Sequence, residues 1–207
     1  MAKYHKYVFD EERKKFIGDF EKMYSAEENS FDSWHQTDRR NIAKQFCNRI
    51  LDQYNFNTII DIGCGKGFFT HTLKKNNNYV AGLDVSQTAI KKAKSYYPDI
   101  DFFQFDVESK NFENRIYNII DSKPIDLIVC NELLSYIKNW SDIIEYFSKL
   151  TKFCLISLGP IPVDPIGFVK SIDDLVKKFD KSFDVIYDIR LIKHEAVILF
   201  GEIKKDL

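Results

Sequence analysis

The sequence predicts an α/β protein, a doubly wound, mostly parallel seven-stranded sheet with an antiparallel C-terminal hairpin strand and N-terminal helices. Three observations carry that expectation. From Thr58 onward, short apolar runs alternate with stretches of helical period. Runs apolar on both faces and separated by helices imply parallel strands covered from both sides, and right-handed crossovers then wind the helices onto both faces. Near the end of the chain, two apolar runs are joined only by Ile192-Lys193-His194. So short a link cannot hold a parallel crossover, and that pair must run antiparallel.

The elements follow in order. Phe9, Phe16, Phe20, Met23 and Tyr24 are spaced for one face of a first helix. A loop rich in Ser and Asn follows, and a second helix over Thr37–Tyr54 is expected to bury Ile42, Phe46, Ile50 and Leu51. Strands then fall at Thr58–Ile62, Tyr79–Asp84, Ile100–Asp106, Ile125–Asn131 and Phe153–Leu158. Helical stretches at Phe68–Lys75, Ser86–Tyr97, Phe112–Asp121 and Asp142–Leu150 separate them. After the proline-rich Gly159–Pro165, a helix at Ser171–Phe179 leads to strands at Phe183–Leu191 and Glu195–Glu202. The expectation is one domain over 1–207, with 1–56 a helical cap and 57–207 the sheet core.

Bulk composition narrows the function. Hydrophobic residues make up 44%, enough for a packed core. Thirty Lys and Arg against 31 Asp and Glu give a formal charge of -1, with no electrostatic footprint for nucleic acid or an anionic membrane. Cys47, Cys64, Cys130 and Cys154 sit at no metal-ligand spacing, so neither a metal nor a disulfide framework is expected, and a reducing compartment fits. The first residues lack an apolar signal region, and no apolar run approaches the roughly 20 residues that cross a bilayer. A cytoplasmic monomer or homodimer acting on a small molecule is the expectation.

The chemistry is carried at strand ends. Ile59-Ile60-Asp61-Ile62 runs into Gly63-Cys64-Gly65-Lys66-Gly67-Phe68, a strand, a glycine loop and the start of a helix. Glycines let the backbone approach a ligand closely, and the helix aims its first amides at it. A dinucleotide fingerprint is G-x-G-x-x-G, shaped for a pyrophosphate. Here the spacing is G-x-G-x-G, with a carboxylate two residues ahead of the first glycine. That carboxylate would repel a pyrophosphate but pair with an ammonium. Asp84 ends the next strand 21 positions after Gly63, where a carboxylate can accept from both hydroxyls of a ribose. Its other reading is a helix N-cap, a job for which Ser86 is better placed.

The glycine loop resembles motif I of the class I S-adenosylmethionine-dependent methyltransferases, the small-molecule type, and the resemblance covers roughly Thr58–Glu202. It implies a Rossmann-like fold and S-adenosylmethionine as cofactor. It also implies that Gly63, Gly65 and Gly67 shape the pocket wall while Asp61 holds the methionine ammonium. Asp84 with Val85, and Asp106 with Val107, would then contact ribose and adenine, and Asn131 would lie beside them at the end of the fourth strand. Asn131-Glu132-Leu133-Leu134-Ser135-Tyr136 does not resemble the Asn/Asp-Pro-Pro-Tyr loop of enzymes that methylate nucleic-acid bases. Phe31-Asp32-Ser33-Trp34 followed by Arg39-Arg40 is similar to the N-terminal lid of nodulation-type (NodS-like) aminosugar N-methyltransferases. Trp34 and Arg39 are the expected cofactor contacts of that segment; the guanidinium of Arg39 or Arg40 suits the methionine carboxylate or an anionic acceptor, though both could equally form the solvated face of a helix.

Glu132, Tyr136 and His35 are the candidates near the transferred methyl, and Asp164 is a candidate acceptor contact in a loop stiffened by Pro160, Pro162 and Pro165. Glu132 could instead cap the following short helix, Tyr136 could merely pack, and His35 could be exposed. His194 reads as structural. The expected reaction moves a methyl to O or N of a small polar metabolite such as a sugar, an aminosugar or a nucleotide-linked saccharide. Competing readings are a nicotinamide-dependent oxidoreductase, a non-catalytic binding or scaffold domain, and methylation of protein or RNA.

Overall fold

The chain begins with α1 (His5–Val8), a short hairpin of β1 (Phe9–Asp10) and β2 (Lys15–Phe16), and α2 (Phe20–Ser25). A 3₁₀ turn at Ser33–His35 and α3 (Ile42–Leu51) lead to the sheet. There β3 (Thr58–Ile62), α4 (Phe68–Leu73), β4 (Tyr79–Asp84), α5 (Gln87–Tyr96), β5 (Asp101–Gln104), α6 (Phe112–Ile119) and β6 (Ile125–Asn131) alternate. They are followed by α7 (Trp140–Leu150), β7 (Thr151–Leu158), α8 (Ile172–Ser182), β8 (Phe183–Leu191) and β9 (Ala196–Ile203). This computed structural model describes residues 3–10, 12–27, 31–75, 77–159 and 166–205. The proline-rich loop with Pro160, Pro162, Asp164 and Pro165 lies outside the described residues.

The seven-stranded sheet has the order β5-β4-β3-β6-β7-β9-β8. All pairings from β5 to β7 are parallel, and β9 runs antiparallel between β7 and β8. The doubly wound sheet and terminal hairpin are thus as the sequence predicts. Strand alternation divides the interior into two cores. Ile60, Ile62 and Leu83 face one with Phe147 and Phe179, while Ile59, Val80 and Leu127 face the other with Phe102 and Phe200. Helix starts follow local capping chemistry: Ser86 Oγ accepts the Ala89 amide, and Ser171 Oγ accepts that of Asp174. The order reverses at β3, whose neighbours are β4 and β6, so a crevice opens past the carboxyl ends of these strands.

Two N-terminal expectations are corrected. The face read as a first helix is broken by the β1–β2 hairpin, because Asp10 accepts the Arg13 amide at 3.0 Å, Lys14 adopts φ 49° and Gly18 adopts φ 71°. Turn chemistry overrides the helical period there. The aromatic residues still converge, since Phe9, Phe16 and Phe20 pack around buried Met23 and Tyr24. The second helix begins at Ile42, not Thr37, with Asn41 capping it through the Lys44 amide at 3.0 Å. Its buried stripe is Ala43, Cys47, Ile50 and Leu51, and Ile42 and Phe46 are 46% and 41% exposed.

Candidate active site

The sequence places a glycine loop after β3, and the structure folds it into a tight backbone turn under a cavity of about 350 Å³. Asp61, Gly63, Asp84, Val85, Asp106, Val107, Asn131, Glu132, Tyr136 and Trp34 all line this one cavity. Gly65 and Gly67 lie behind the wall. Gly65 has φ 55°, and a Cβ there would sit 2.6 Å from the Gln36 amide group. Gly67 has φ 79°, caps α4, and would drive a Cβ to 2.7 Å from the Phe102 ring. Both positions therefore require glycine.

Asp61 is 1% exposed. Its Oδ2 accepts the Thr70 hydroxyl at 2.6 Å, while its Oδ1 is buried with no hydrogen-bond partner among the described residues. Burial pushes its carboxyl up to about 7, against the Thr70 hydrogen bond and helped by the charge of Asp84. Asp84 joins the loop to the next strand. Its Oδ2 accepts the Gly65 amide at 2.9 Å and its Oδ1 the Ser86 amide at 2.9 Å. Burial raises it to about 6, opposed by those two amides. Ser86, not Asp84, caps α5 through its side chain. Asp106 is exposed, with Oδ1 accepting the Glu108 amide at 2.9 Å, and buried Val107 follows it in the wall.

Glu132 stands at the end of β6 in the left-handed region, φ 58°. A non-glycine residue held there marks backbone strain that the surroundings enforce. Its amide donates to the Ser157 carbonyl at 2.8 Å, its Oε2 accepts the Gly159 amide at 2.9 Å, and its Oε1 accepts the Ser157 hydroxyl at 3.2 Å. The 3₁₀ turn at Leu134–Tyr136 has no side-chain cap, so Glu132 is not spent on one. Burial lifts its carboxyl to about 7, against the Gly159 and Ser157 hydrogen bonds and the charge of Lys44. Asn131 Oδ1 accepts the same Ser157 hydroxyl at 2.6 Å. Tyr136 is walled in by Phe16, Phe20 and Trp34 at ring separations of 6.1, 5.5 and 5.3 Å, and burial drives its hydroxyl pKa upward.

His35 and Arg39 stand outside the cavity. Both are exposed; His35 lies edge-on to the Tyr4 ring, and Arg39 has its carbonyl held by Gln45 at 3.0 Å. The cation that does line the cavity is Lys44, in the first turn of α3. Its Nζ donates to the carbonyls of Gln36 at 3.2 Å and His35 at 3.4 Å, and it makes no ion pair among the described residues. One donor is left over. Gln36, Tyr24 and Ser157 also reach the site without having been expected there. Only Ser157 carried a signal, a polar residue closing an apolar strand at the sheet edge where ligands bind.

These residues fit S-adenosylmethionine on grounds internal to the structure. The unpartnered Asp61 Oδ1 suits an ammonium, each Asp84 oxygen keeps a lone pair for a diol, and Lys44 suits a carboxylate. Among the described residues no cluster of His, Cys, Asp or Glu could hold a metal, and no helix is long and apolar enough to cross a membrane.

Comparison with known proteins agrees. A family model described as a methyltransferase domain matches residues 55–157. A putative methyltransferase of Invertebrate iridescent virus 6 is 26% identical over 159 residues, covering 72% of this chain and 56% of that protein. A ubiquinone biosynthesis O-methyltransferase of Nitrosomonas europaea is 25% identical over 111 residues, covering 52% of this chain and 44% of that protein. The chain thus spans about half the length of these curated relatives. Among solved structures, magnesium protoporphyrin IX methyltransferase from Synechocystis PCC 6803 with bound SAM shares the fold, with a TM-score of 0.62, 16% identity and coverage of 82% and 80%. With its glycine loop, strand-end carboxylates and reversed sheet order joined to that match, the chain carries a methyltransferase domain of the class I S-adenosylmethionine-dependent type.

Proposed function

We propose that the protein transfers a methyl group from S-adenosylmethionine to a hydroxyl oxygen of a small polar metabolite, with a sugar or aminosugar as the acceptor class to test first. The observation that carries this reading is the convergence of three carboxylates on one cavity, buried Asp61 and Asp84 and half-buried Glu132. Two of them suit the cofactor, and the third is left for the acceptor.

The cofactor supplies a methyl already activated on a sulfonium, so the protein's work is to bind, orient and exclude water. Asp61 holds the ammonium, Asp84 the ribose diol, and Lys44 takes the carboxylate role expected of Arg39. An amine acceptor needs little more than alignment, whereas a hydroxyl needs a base. Glu132 suits that role, because its carboxyl is poised at about 7 and the Gly159 amide and Ser157 hydroxyl fix its orientation. The wall of Phe16, Phe20, Trp34 and Tyr136 offers an apolar face on which a ring can stack. The O-methyltransferase among the relatives is compatible with an oxygen acceptor.

The test is an S-adenosylhomocysteine-release assay across free sugars, aminosugars, phenols and primary amines. Turnover with a hydroxyl acceptor that collapses in Glu132→Gln supports the reading. Turnover confined to amines, equal in both proteins, removes the base from it. Methyl label found only in the protein or RNA fraction of an extract removes the small acceptor.

A further inference from the structure

The cavity has two halves. The sheet edge supplies the carboxylates, and the N-terminal segment supplies Phe16, Phe20, Tyr24, Trp34 and Gln36. A ligand held between them is contacted by both halves. The place where they are joined is therefore informative, and it falls on a residue inside the glycine loop.

That residue is Lys66, between Gly65 and Gly67, and it is 4% exposed. Its Nζ donates to Glu27 Oε1 at 2.6 Å and to Asp32 Oδ1 at 2.8 Å, and its amide donates to Gln36 Oε1 at 2.8 Å. All three partners belong to the N-terminal segment. Glu27, 3% exposed, also accepts from Lys92 on α5 at 2.8 Å and from the Ser33 amide at 2.8 Å. Asp32 Oδ2 accepts from the Thr37 amide at 2.9 Å and hydroxyl at 2.7 Å. Gln36 donates onward to the Tyr24 hydroxyl at 2.9 Å, and both side chains press on Gly65. The segment's polar network thus sits directly on the cofactor loop.

Burying an ammonium is costly unless it is paired, and separating a buried pair strands both charges. Lys66 is thus buried only together with Glu27 and Asp32, and parting the segment from the loop would expose its ammonium to water. Nothing in the proposed chemistry calls for a lysine here, since the loop needs only glycines and backbone at this point. We infer that Lys66 is a positioning residue whose ion pairs with Glu27 and Asp32 latch the N-terminal segment over the cofactor cavity, so that cofactor entry and release proceed by breaking them. This inference rests on the S-adenosylmethionine reading.

Stopped-flow binding and displacement of S-adenosylhomocysteine test it, on wild type, Lys66→Met and Asp32→Asn. A latch predicts that association and dissociation rates rise together, dissociation about tenfold or more in Lys66→Met and a few-fold in Asp32→Asn, with Kd moving less than either rate. Wild-type rates in variants that keep a cooperative melt overturn it, as does a loss of affinity carried by dissociation alone. Should a variant not fold, hydrogen exchange on wild type decides: S-adenosylhomocysteine slows exchange at residues 20–27 and 31–37 if the latch closes over it, and unchanged exchange there overturns the latch. A wild-type protein that binds no S-adenosylhomocysteine fails the cofactor reading itself, and the latch falls with it.

Discussion

Asp84 Oδ2 accepts the backbone amide of Gly65 at 2.9 Å, so the carboxylate that ends β4 holds the glycine loop that follows β3. Asp84 ends β4 and Gly65 lies in the loop after its parallel neighbour β3, at the reversal of the sheet order, so their contact ties that loop to the edge of the cavity. The site is therefore one hydrogen-bonded unit, and its parts fail in distinguishable ways.

Glu132 gives the first test. If it accepts the acceptor's proton, Glu132→Gln lowers kcat by about 10²- to 10⁴-fold, the usual worth of a general base. S-adenosylhomocysteine affinity stays within a few-fold. The wild-type rate rises with pH through about 7, where the carboxyl ionises, and the variant loses that limb. Steady-state rates against pH measure both.

Asp61 gives the second. Its carboxyl is raised to about 7 by burial, yet an ammonium partner needs it ionised. Binding must then release a proton, so S-adenosylhomocysteine affinity increases as pH rises toward about 7 and levels above it. In Asp61→Asn the pH dependence flattens and the affinity falls. Calorimetry in two buffers of different ionisation enthalpy reads the proton count.

The ligand-free protein carries a linked stability effect. Asp61, Asp84 and Glu132 have folded pKa values of about 7, 6 and 7, above those of free carboxylates. Their contribution is fully present below the unfolded pKa and is lost as pH rises through about 6 to 7. Glu27 and Asp32 are lowered: burial opposes that shift, and hydrogen bonds from Lys66 lead the groups that outweigh it. Their contribution is present above the unfolded pKa and is lost as pH falls through the folded values. The melting temperature without ligand should thus fall between about pH 5 and about 8, and saturating S-adenosylhomocysteine should reduce that fall.

Phe102 supports the loop from below. It is fully buried, and its ring fills the space that side chains at Gly67 and Gly82 would occupy. Phe102→Ala is expected to cost about 3–5 kcal/mol in urea unfolding. Cofactor affinity should fall as well, since the loop loses its backing.

Much of this was legible in residues because it is local. Asp61-Ile62-Gly63, Asp84 and Asn131-Glu132 announce themselves as strand ends, and in a parallel sheet strand ends meet at one edge. Where tertiary contacts decide, the sequence was silent. Lys44, in the first turn of α3, lines the cavity, while Arg39 stays in the exposed turn before that helix. Phe9 and Phe16 reach their cluster through a hairpin, since the Asp10 carboxylate, accepting the Arg13 amide, turns the chain where the period suggests a helix. Lys66 looks like a solvated loop residue until Glu27 and Asp32, far away in sequence, are brought around it.

The central claim is that this cavity binds S-adenosylmethionine through Asp84. Titration calorimetry of S-adenosylhomocysteine into wild type and Asp84→Ala tests it most directly. Saturable one-to-one binding to wild type is expected, weakened about 10- to 100-fold in the variant, the worth of one or two hydrogen bonds to a charged group. No binding to wild type, or equal binding to both proteins, would contradict it.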